Sequence, residues 1–197
     1  MSATLAALAV ADPPERWRAL GFAVDARDRV ALGGVQIQLG VGGDGITGWT
    51  LRDIDADGDI DGLPTATTSE PPPPPVQHDN GALGIDHVVI VSGDFERTSA
   101  ALAASGMSLR LIRESEGHRQ GFRRLGPAIM EIVEVPDLKG GARFWGLVVI
   151  VGDLVALGQR LAPHLHEIRP AIQTGRRIAT LDGSAGLTPR VAFMDPE

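Results

Sequence analysis

A histidine inside an apolar strand is the first residue of this sequence that points to chemistry. His87 interrupts the run Gly84 to Val91, whose β-branched residues predict a buried strand. Strand side chains alternate between two faces, so His87 shares a face with Val89 while Val88 points to the other. If one face covers a helix, the face that carries His87 is free to line a cavity.

A carboxylate in a later apolar run gives His87 a candidate partner. Glu131 lies in the predicted strand Ala128 to Val135. A paired histidine and glutamate can bind a divalent metal, or can act as base and orienting acid in proton abstraction beside a carbonyl. The alternative is a histidine hydrogen-bonded to a carboxylate in a filled interior, without turnover. His87 and Glu131 are therefore the candidate catalytic residues and the candidate metal ligands.

Other side chains are candidates for binding a substrate. Arg176 and Arg177 are adjacent in a predicted strand, so one can face inward and clamp a carboxylate or phosphate while the other faces solvent. Two surface arginines are the simpler alternative. Gln120 adds a polar group to the cavity if it points inward, and otherwise belongs to a solvated hairpin end. Trp145 and Phe193 form either a hydrophobic wall for the substrate or ordinary core.

An acidic stretch, Asp53 to Asp61, partly matches a calcium loop. Asp53, Asp55 and Asp57 occupy positions one, three and five, and a glycine follows at six. Position twelve is Pro64, where a bidentate glutamate belongs. The pattern therefore favours an acidic, solvated linker.

The elements that position these residues follow one repeated order. Strand, helix, strand, strand, strand is predicted in residues 1–62, again in 83–137 and again in 144–197. A period of about 55 to 60 residues with one internal topology indicates a tandem repeat. Residues 63–82 contain five consecutive prolines, Pro71 to Pro75, and predict a stiff polyproline linker between the first unit and a domain made of the other two.

A tandem βαβββ unit with histidine in its first strand and glutamate in its fourth resembles the vicinal oxygen chelate (VOC) superfamily. That superfamily includes glyoxalase I, extradiol dioxygenases, and fosfomycin- and bleomycin-resistance proteins. Gly84-Ile85-Asp86-His87-Val88-Val89-Ile90 is similar to its first-strand motif, and Gly126-Pro127-Ala128-Ile129-Met130-Glu131-Ile132-Val133 to its closing strand. The resemblance implies an α+β fold in which two units pair to form a curved mixed-sheet cup with helices outside.

The resemblance also implies a ligand set that this sequence fills only in part. Metal-dependent members of the superfamily hold a divalent ion with one histidine and one glutamate from each of two units. The alignment of the repeats puts Leu147 where the second histidine belongs and Phe193 opposite Glu131. Only His87 and Glu131 remain, and two protein ligands rarely make a tight site. Either another residue completes the set or the cup is metal-free, with Leu147 among its substrate-binding residues.

Two functions follow from the resemblance. In the first, a glyoxalase-like lyase, isomerase or dioxygenase acts on a small oxygenated substrate in the cup, by proton abstraction or by metal-assisted chemistry. In the second, a metal-free member binds a small, largely apolar molecule without catalysis. His87 and Glu131 together favour the first function, whereas Leu147 and Phe193 favour the second.

Composition limits the partners. The chain has 197 residues, a net charge of −7, a single lysine and no cysteine. These values exclude disulfides and thiolate chemistry, and argue against nucleic-acid binding, which needs a basic patch. No apolar run is long enough to span a membrane, and Met1 to Ala11 lacks the positive start of a signal peptide, so we expect a cytoplasmic protein. The unpaired first unit predicts a homodimer or, alternatively, a linker that folds this unit back onto the cup.

Overall fold

The computed structural model describes residues 2–56, 58–115 and 117–197, and the described residues form two mixed sheets. The N-terminal sheet contains β1 (Thr4–Val10), β2 (Arg29–Leu32), β3 (Val35–Gln38), β4 (Ile46–Arg52), β5 (Gly58–Ile60) and β6 (Leu63–Thr67), with helix α1 (Pro14–Ala19) after β1. The C-terminal sheet contains β7 (Ala82–Ser92), β8 (Leu111–Ser115), β9 (His118–Leu125), β10 (Ala128–Glu134), β11 (Arg143–Val151), β12 (Arg169–Pro170), β13 (Arg177–Thr180) and β14 (Arg190–Met194). Helix α2 (Phe95–Ala104) follows β7, and helix α3 (Leu154–Leu161) follows β11.

The C-terminal sheet consists of two βαβββ units side by side. Its strand order is β12-β13-β14-β11-β7-β10-β9-β8, so each unit has its fourth strand next to its first. β7 is parallel to β10, β11 is parallel to β14, and β7 and β11 pair antiparallel at the centre. This topology confirms the α+β class and the paired units of a curved mixed sheet.

The helices of both units begin with an aspartate N-cap. The Asp94 side chain accepts a hydrogen bond from the backbone N–H of Arg97, and Asp153 accepts from those of Val155 and Ala156. An N-cap carboxylate satisfies amide groups that have no partner within the helix. Helix α3 buries Leu154, Leu157 and Leu161, which recur at helical spacing.

The N-terminal sheet has a different strand order from the predicted βαβββ unit. Its order is β2-β3-β1-β4-β6-β5, with β1 parallel to β3 and antiparallel to β4. The second half of this sheet begins with β4, which is parallel to β6. Residues 63–67, at the start of the segment predicted to be a linker, are therefore a strand. Pro64 obscured this strand in the sequence, although Leu63 and Thr65 on either side of it are buried.

The two sheets share one hydrophobic core. Phe22 stacks on Phe193 with ring centroids 6.3 Å apart, and Trp49 meets Phe144 edge-on at 5.3 Å. The backbones also approach closely, since a Cβ atom on Gly33 would lie 2.8 Å from the Cα atom of Gly84. The chain thus folds its N-terminal part back onto the cup, so the sheet face whose exposure motivated the predicted homodimer is covered from within the chain.

The segment after β6 is tied to the N-terminal sheet by His78. The backbone N–H of Ala23 donates to His78 Nδ1 at 3.0 Å, so Nε2 carries the proton and donates to the Ala31 carbonyl at 2.8 Å. No described helix is long and apolar enough to cross a membrane, and the longest, α2, has 10 residues.

Replacing Phe22 with alanine should lower the free energy of unfolding by about 3–5 kcal/mol, because a buried ring is lost at the contact between the sheets. Both sheets should still unfold in one transition, since they share a core. Urea unfolding followed by tryptophan fluorescence and circular dichroism measures both effects. Ile172→Ala is the control, because Ile172 is 79% exposed and should change stability by less than about 0.5 kcal/mol. Two separate transitions, only one of them shifted, would contradict a shared core.

Candidate functional site

A β-bulge at the centre of the C-terminal sheet brings Asp86 and His87 together. His87 pairs with Val148 on β11, and Ile85 pairs with Val149, so Asp86 is the extra residue between them. Bulges locally re-aim side chains, and here the Asp86 carboxylate reaches the imidazole of its neighbour. The burial of the flanking residues shows the same irregularity. Ile85 and Val88 both belong to the main core, although residues three positions apart in a regular strand point to opposite faces.

A chain of hydrogen bonds fixes the orientation of the His87 ring. Nδ1 of His87 lies 2.7 Å from Oδ2 of Asp86, and Oδ1 of Asp86 accepts from Nη1 of Arg176 at 2.7 Å. Nε of Arg176 donates to the Asp195 carbonyl at 2.8 Å. An ionised carboxylate only accepts, so Nδ1 of His87 carries a proton and Nε2 is directed elsewhere.

Asp86 remains ionised despite its burial. Burial alone would raise the pKa of this carboxyl group, but hydrogen bonds and charge interactions with His87 and Arg176 outweigh that effect and hold its pKa below the usual value. The Asp86 carboxylate therefore also stabilises any positive charge that develops on His87.

Glu131 faces the other nitrogen of the same imidazole. Its Oε2 is 3.3 Å from Nε2 of His87, and its Oε1 accepts from Nε2 of Gln120 at 3.3 Å. Burial raises the pKa of Glu131, partly offset by the charges of His87 and Arg113. A carboxylate with a raised pKa is a stronger base than an exposed one, and its neighbour His87 can accept or return the proton.

Two adjoining cavities open above this pair. Their volumes are about 190 Å³ and about 210 Å³, and His87, Glu131, Arg169 and Ile178 line both. The first is otherwise lined by Arg113, Phe122, Pro170, Ala171, Ile172, Gln173 and Met194. The arrangement is a mostly apolar cup with a histidine and a glutamate at its floor.

The structure brings together some of the predicted binding residues. Gln120 contacts Glu131, and Trp145 lines the second cavity with 51% of its surface exposed. Arg176 is directed to Asp86 and so orients His87 through that carboxylate. Arg177 forms an ion pair with Asp195, at 2.6 Å from Nε, on the exposed side.

The two apolar positions inferred from the repeat alignment lie mainly in the core. Phe193 is fully buried and stacks on Phe22, on the side away from His87. Leu147 pairs with Val88 in the main core and also lines the second cavity.

The strand register places different residues opposite His87 and Glu131. Val148 is the direct partner of His87, and Met194 pairs with Ile150, two positions further along β11. In the first unit, Glu131 pairs with Val89, which is two positions after His87. Met194 thus has the same position relative to Val148 as Glu131 has relative to His87. Leu147 and Phe193 belong to the main core, whereas Val148 and Met194 belong to the small apolar cluster that lines the cavities of His87 and Glu131.

The donor set does not fit the divalent metal that the resemblance implies. The four positions hold His87, Glu131, a valine and a thioether, and neither Val148 nor Met194 supplies a ligand suited to a hard or borderline cation. No group of three or more His, Asp or Glu side chains in residues 2–56, 58–115 and 117–197 is arranged to hold an ion.

The calcium-loop pattern falls partly outside the described residues, since Asp57 is not among them. The described aspartates at its end contact protein groups. Asp59 accepts from the backbone N–H of Gly62 at 2.5 Å, and Asp61 pairs with Arg97 at 2.6 Å.

Three site residues escaped the sequence analysis. Asp86 lies next to His87 in the first-strand motif, and regular alternation would place its side chain on the opposite face of β7. Only the bulge turns the Asp86 carboxylate toward the imidazole. Arg113 and Arg169 are single charges in short edge strands, and no local pattern separates them from surface arginines.

Neither a protein family model nor a curated protein matches the sequence. Solved structures do match. Methylmalonyl-CoA epimerase from Mycobacterium tuberculosis superposes with a TM-score of 0.51 at 19% identity, over 62% of this chain and 93% of that chain. The chain has a VOC-type fold. At this identity the likeness is one of fold.

Two further structures match more weakly. A Streptomyces coelicolor methylmalonyl-CoA epimerase in complex with 2-nitronate-propionyl-CoA has a TM-score of 0.47 at 15% identity, over 56% of this chain and 92% of that chain. A hypothetical protein from Bacillus halodurans has a TM-score of 0.47 at 14% identity, over 57% and 94%.

Replacing Asp86 with asparagine should lower the free energy of unfolding by about 3–5 kcal/mol at neutral pH, because it leaves Arg176 buried without its counter-charge. The folded-state pKa of Asp86 is lowered, so its stabilising effect is present above the ordinary pKa of an aspartate. It is lost as the pH falls through the lowered value. The difference between wild type and variant should therefore shrink below about pH 4. Urea unfolding between pH 3 and 7 measures it, with Asp79→Asn, 85% exposed, as control. A difference independent of pH would contradict the assignment.

The register can be tested by building the missing ligands. The double variant Val148→His, Met194→Glu should gain stoichiometric binding of zinc or nickel, because it completes a set of two histidines and two glutamates around the cup. The matched variant Leu147→His, Phe193→Glu should bind no metal and should lose more than about 3 kcal/mol of stability, because it buries charge in the core. Metal content after dialysis and urea unfolding report the two effects. Stoichiometric metal in wild type that is lost in His87→Ala would show that another residue already completes the site.

Proposed function

We propose that the cup binds a small oxygenated molecule and that Glu131 and His87 transfer a proton at a carbon beside its carbonyl group. The observation that supports this most directly is the buried Glu131 carboxylate. It lies 3.3 Å from an imidazole whose opposite nitrogen is fixed by Asp86, and both side chains line open cavities.

Glu131 is the base in this proposal. Its carboxylate takes a proton from the substrate carbon, the C–H bond breaks, and the electron pair moves into the carbonyl to give an enolate. Because burial disfavours the ionised form of Glu131, accepting the proton relieves a buried charge. Return of a proton to the enolate completes an isomerisation or an epimerisation.

His87 is the second group that carries the proton in this proposal. Its Nε2 faces Glu131, so it can take the proton from the glutamic acid and return it. The imidazolium formed in this way is stabilised by the ionised Asp86, which in turn is held by Arg176. This reaction class is compatible with the fold, since one protein that superposes on the chain is a methylmalonyl-CoA epimerase.

A second function, binding without catalysis, is favoured by the other half of the cup. Val148, Ala192 and Met194 form a small apolar cluster with Ala171 and Ile178, opposite the polar pair. This surface suits a largely apolar ligand and offers no group that would act on it. The two functions differ in whether a bound molecule exchanges a carbon-bound proton with solvent.

Exchange of carbon-bound protons in heavy water separates these functions without knowledge of the product. We expect wild type to exchange the acidic C–H of at least one compound in a panel of small oxo acids, hydroxy ketones and acyl thioesters, followed by NMR. Glu131→Gln should lower the rate by about 10²–10⁴-fold, because it removes the base. Glu15→Gln is the control, since Glu15 is a largely exposed residue of α1. Binding of panel compounds without any exchange would instead support the non-catalytic function.

The pH dependence of exchange should report the same group. The base must be ionised, and the pKa of Glu131 is raised above 4.5, so exchange should fall as the pH decreases through that raised value. The decline should therefore begin at a higher pH than for an ordinary glutamate. An acid limb at or below pH 4.5 would contradict the role of Glu131.

A further inference from the structure

Two arginines reach the same cavity from opposite ends of the C-terminal sheet. Arg113 lies on β8 and Arg169 on β12, which are the first and last strands in the order of this sheet. Both line the cavity that contains His87 and Glu131. The curvature of the sheet therefore brings its two edges to one opening, with a cation on each side.

Neither arginine forms an ion pair with a residue that the structure describes. No aspartate or glutamate in residues 2–56, 58–115 and 117–197 lies within 4.0 Å of the guanidinium of Arg113 or Arg169, whereas three other arginines of the C-terminal half are paired. Arg119 pairs with Glu134, Arg176 with Asp86 and Arg177 with Asp195. The cavity thus holds two arginines against one carboxylate, in a chain whose net charge is −7.

Arg113 is also held in place at the wall. Its guanidinium carbon lies 5.5 Å from the centroid of the Phe122 ring, and Phe122 lines the same cavity. A ring beneath a guanidinium leaves the edge of the fork, with its N–H donors, free to meet a ligand. Arg169 lines both cavities, so it is within reach of a ligand in either of them.

We infer that the substrate is a small carboxylate, bound with its carboxylate group between Arg113 and Arg169 and its reacting carbon toward Glu131. Two guanidinium groups recognise a carboxylate by charge-assisted, bidentate hydrogen bonds. The same charges would stabilise the enolate that forms when a proton leaves. The cavity of about 190 Å³ sets the size of the ligand, and Ile178 and Met194 leave an apolar surface for a short carbon chain. The reacting carbon rests on the proposed function, whereas the anion site rests on the arginines alone.

Three planar probes of nearly equal shape and different charge test the site. Oxalate, oxamate and oxamide carry two, one and no negative charges, and oxalate also resembles the enolate of a 2-oxo acid. Calorimetry at low and at moderate salt should give affinities in the order oxalate, oxamate, oxamide, with at least about tenfold between the first and the last. The oxalate affinity should fall as salt is added.

Variants of the two arginines locate the binding. Arg113→Met and Arg169→Met should each weaken oxalate binding about tenfold or more and flatten the order of the three probes. Phe122→Leu should weaken oxalate less than Arg113→Met, because it removes only the support of that arginine. Arg27→Met is the matched control, since Arg27 is an exposed residue outside both cavities and should leave the affinity unchanged. Both cavity arginines lie on exposed edge strands, so thermal unfolding should confirm folded variants.

The outcomes separate this inference from the proposed function. Glu131→Gln should abolish proton exchange but keep the order of the probes, because it leaves both cations in place. Affinities in the order oxalate, oxamate, oxamide, without C–H exchange of any carboxylate in the panel, would support the anion site and count against proton transfer. Equal binding of oxalate and oxamide, or equal effects of Arg27→Met and the cavity variants, would overturn the inference, while exchange on neutral ketones would still support the proposed function.

Discussion

The buried ion pair between Arg176 and Asp86 is the interaction on which the rest of the site depends. A carboxylate at this depth is stable in its ionised form only because a guanidinium 2.7 Å away and the His87 imidazole compensate for lost hydration. The ionised Asp86 then fixes which nitrogen of His87 carries a proton. Without it, the ring would be free to present either nitrogen to Glu131, and the proton path would be lost.

This ion pair also joins the two βαβββ units. Asp86 belongs to the first strand of one unit, and Arg176 directly precedes β13 of the other. Cross-linking them by buried charges makes the site dependent on correct pairing of β7 with β11, because a change of register would separate the partners. The contact of Phe22 with Phe193 adds the N-terminal sheet to the same body behind the cup. The chemistry and the packing therefore use opposite faces of the central strands.

The repeated order of elements and the resemblance that it supports were sufficient to predict the cup, and insufficient to predict its register. The α+β class follows from the repeated order of elements, whereas the meeting of His87 with Glu131 in a cup followed from the resemblance to the VOC superfamily. The bulge at Asp86 is not local, since it depends on how β7 and β11 pair. It shifts the residue opposite His87 from Leu147 to Val148. The roles of Arg113 and Arg169 could not be predicted from the sequence either, because only the curvature of the sheet brings its two edges together.

The pairing of a polar half-cup with an apolar one has a consequence for the kind of chemistry the site can perform. A histidine and a glutamate facing Val148 and Met194 provide too few donors to hold a cation, yet they can share a proton, which needs only two partners at hydrogen-bond distance. Asp86 and Arg176 behind His87, and the cations at the opening, supply the fixed electrostatic field that a proton-transfer site requires. The same low-dielectric surroundings that make Glu131 a better base also strengthen the electrostatic interactions of those charged groups. In the proposed proton transfer, the role of the apolar half of the cup is to exclude water around the reacting groups.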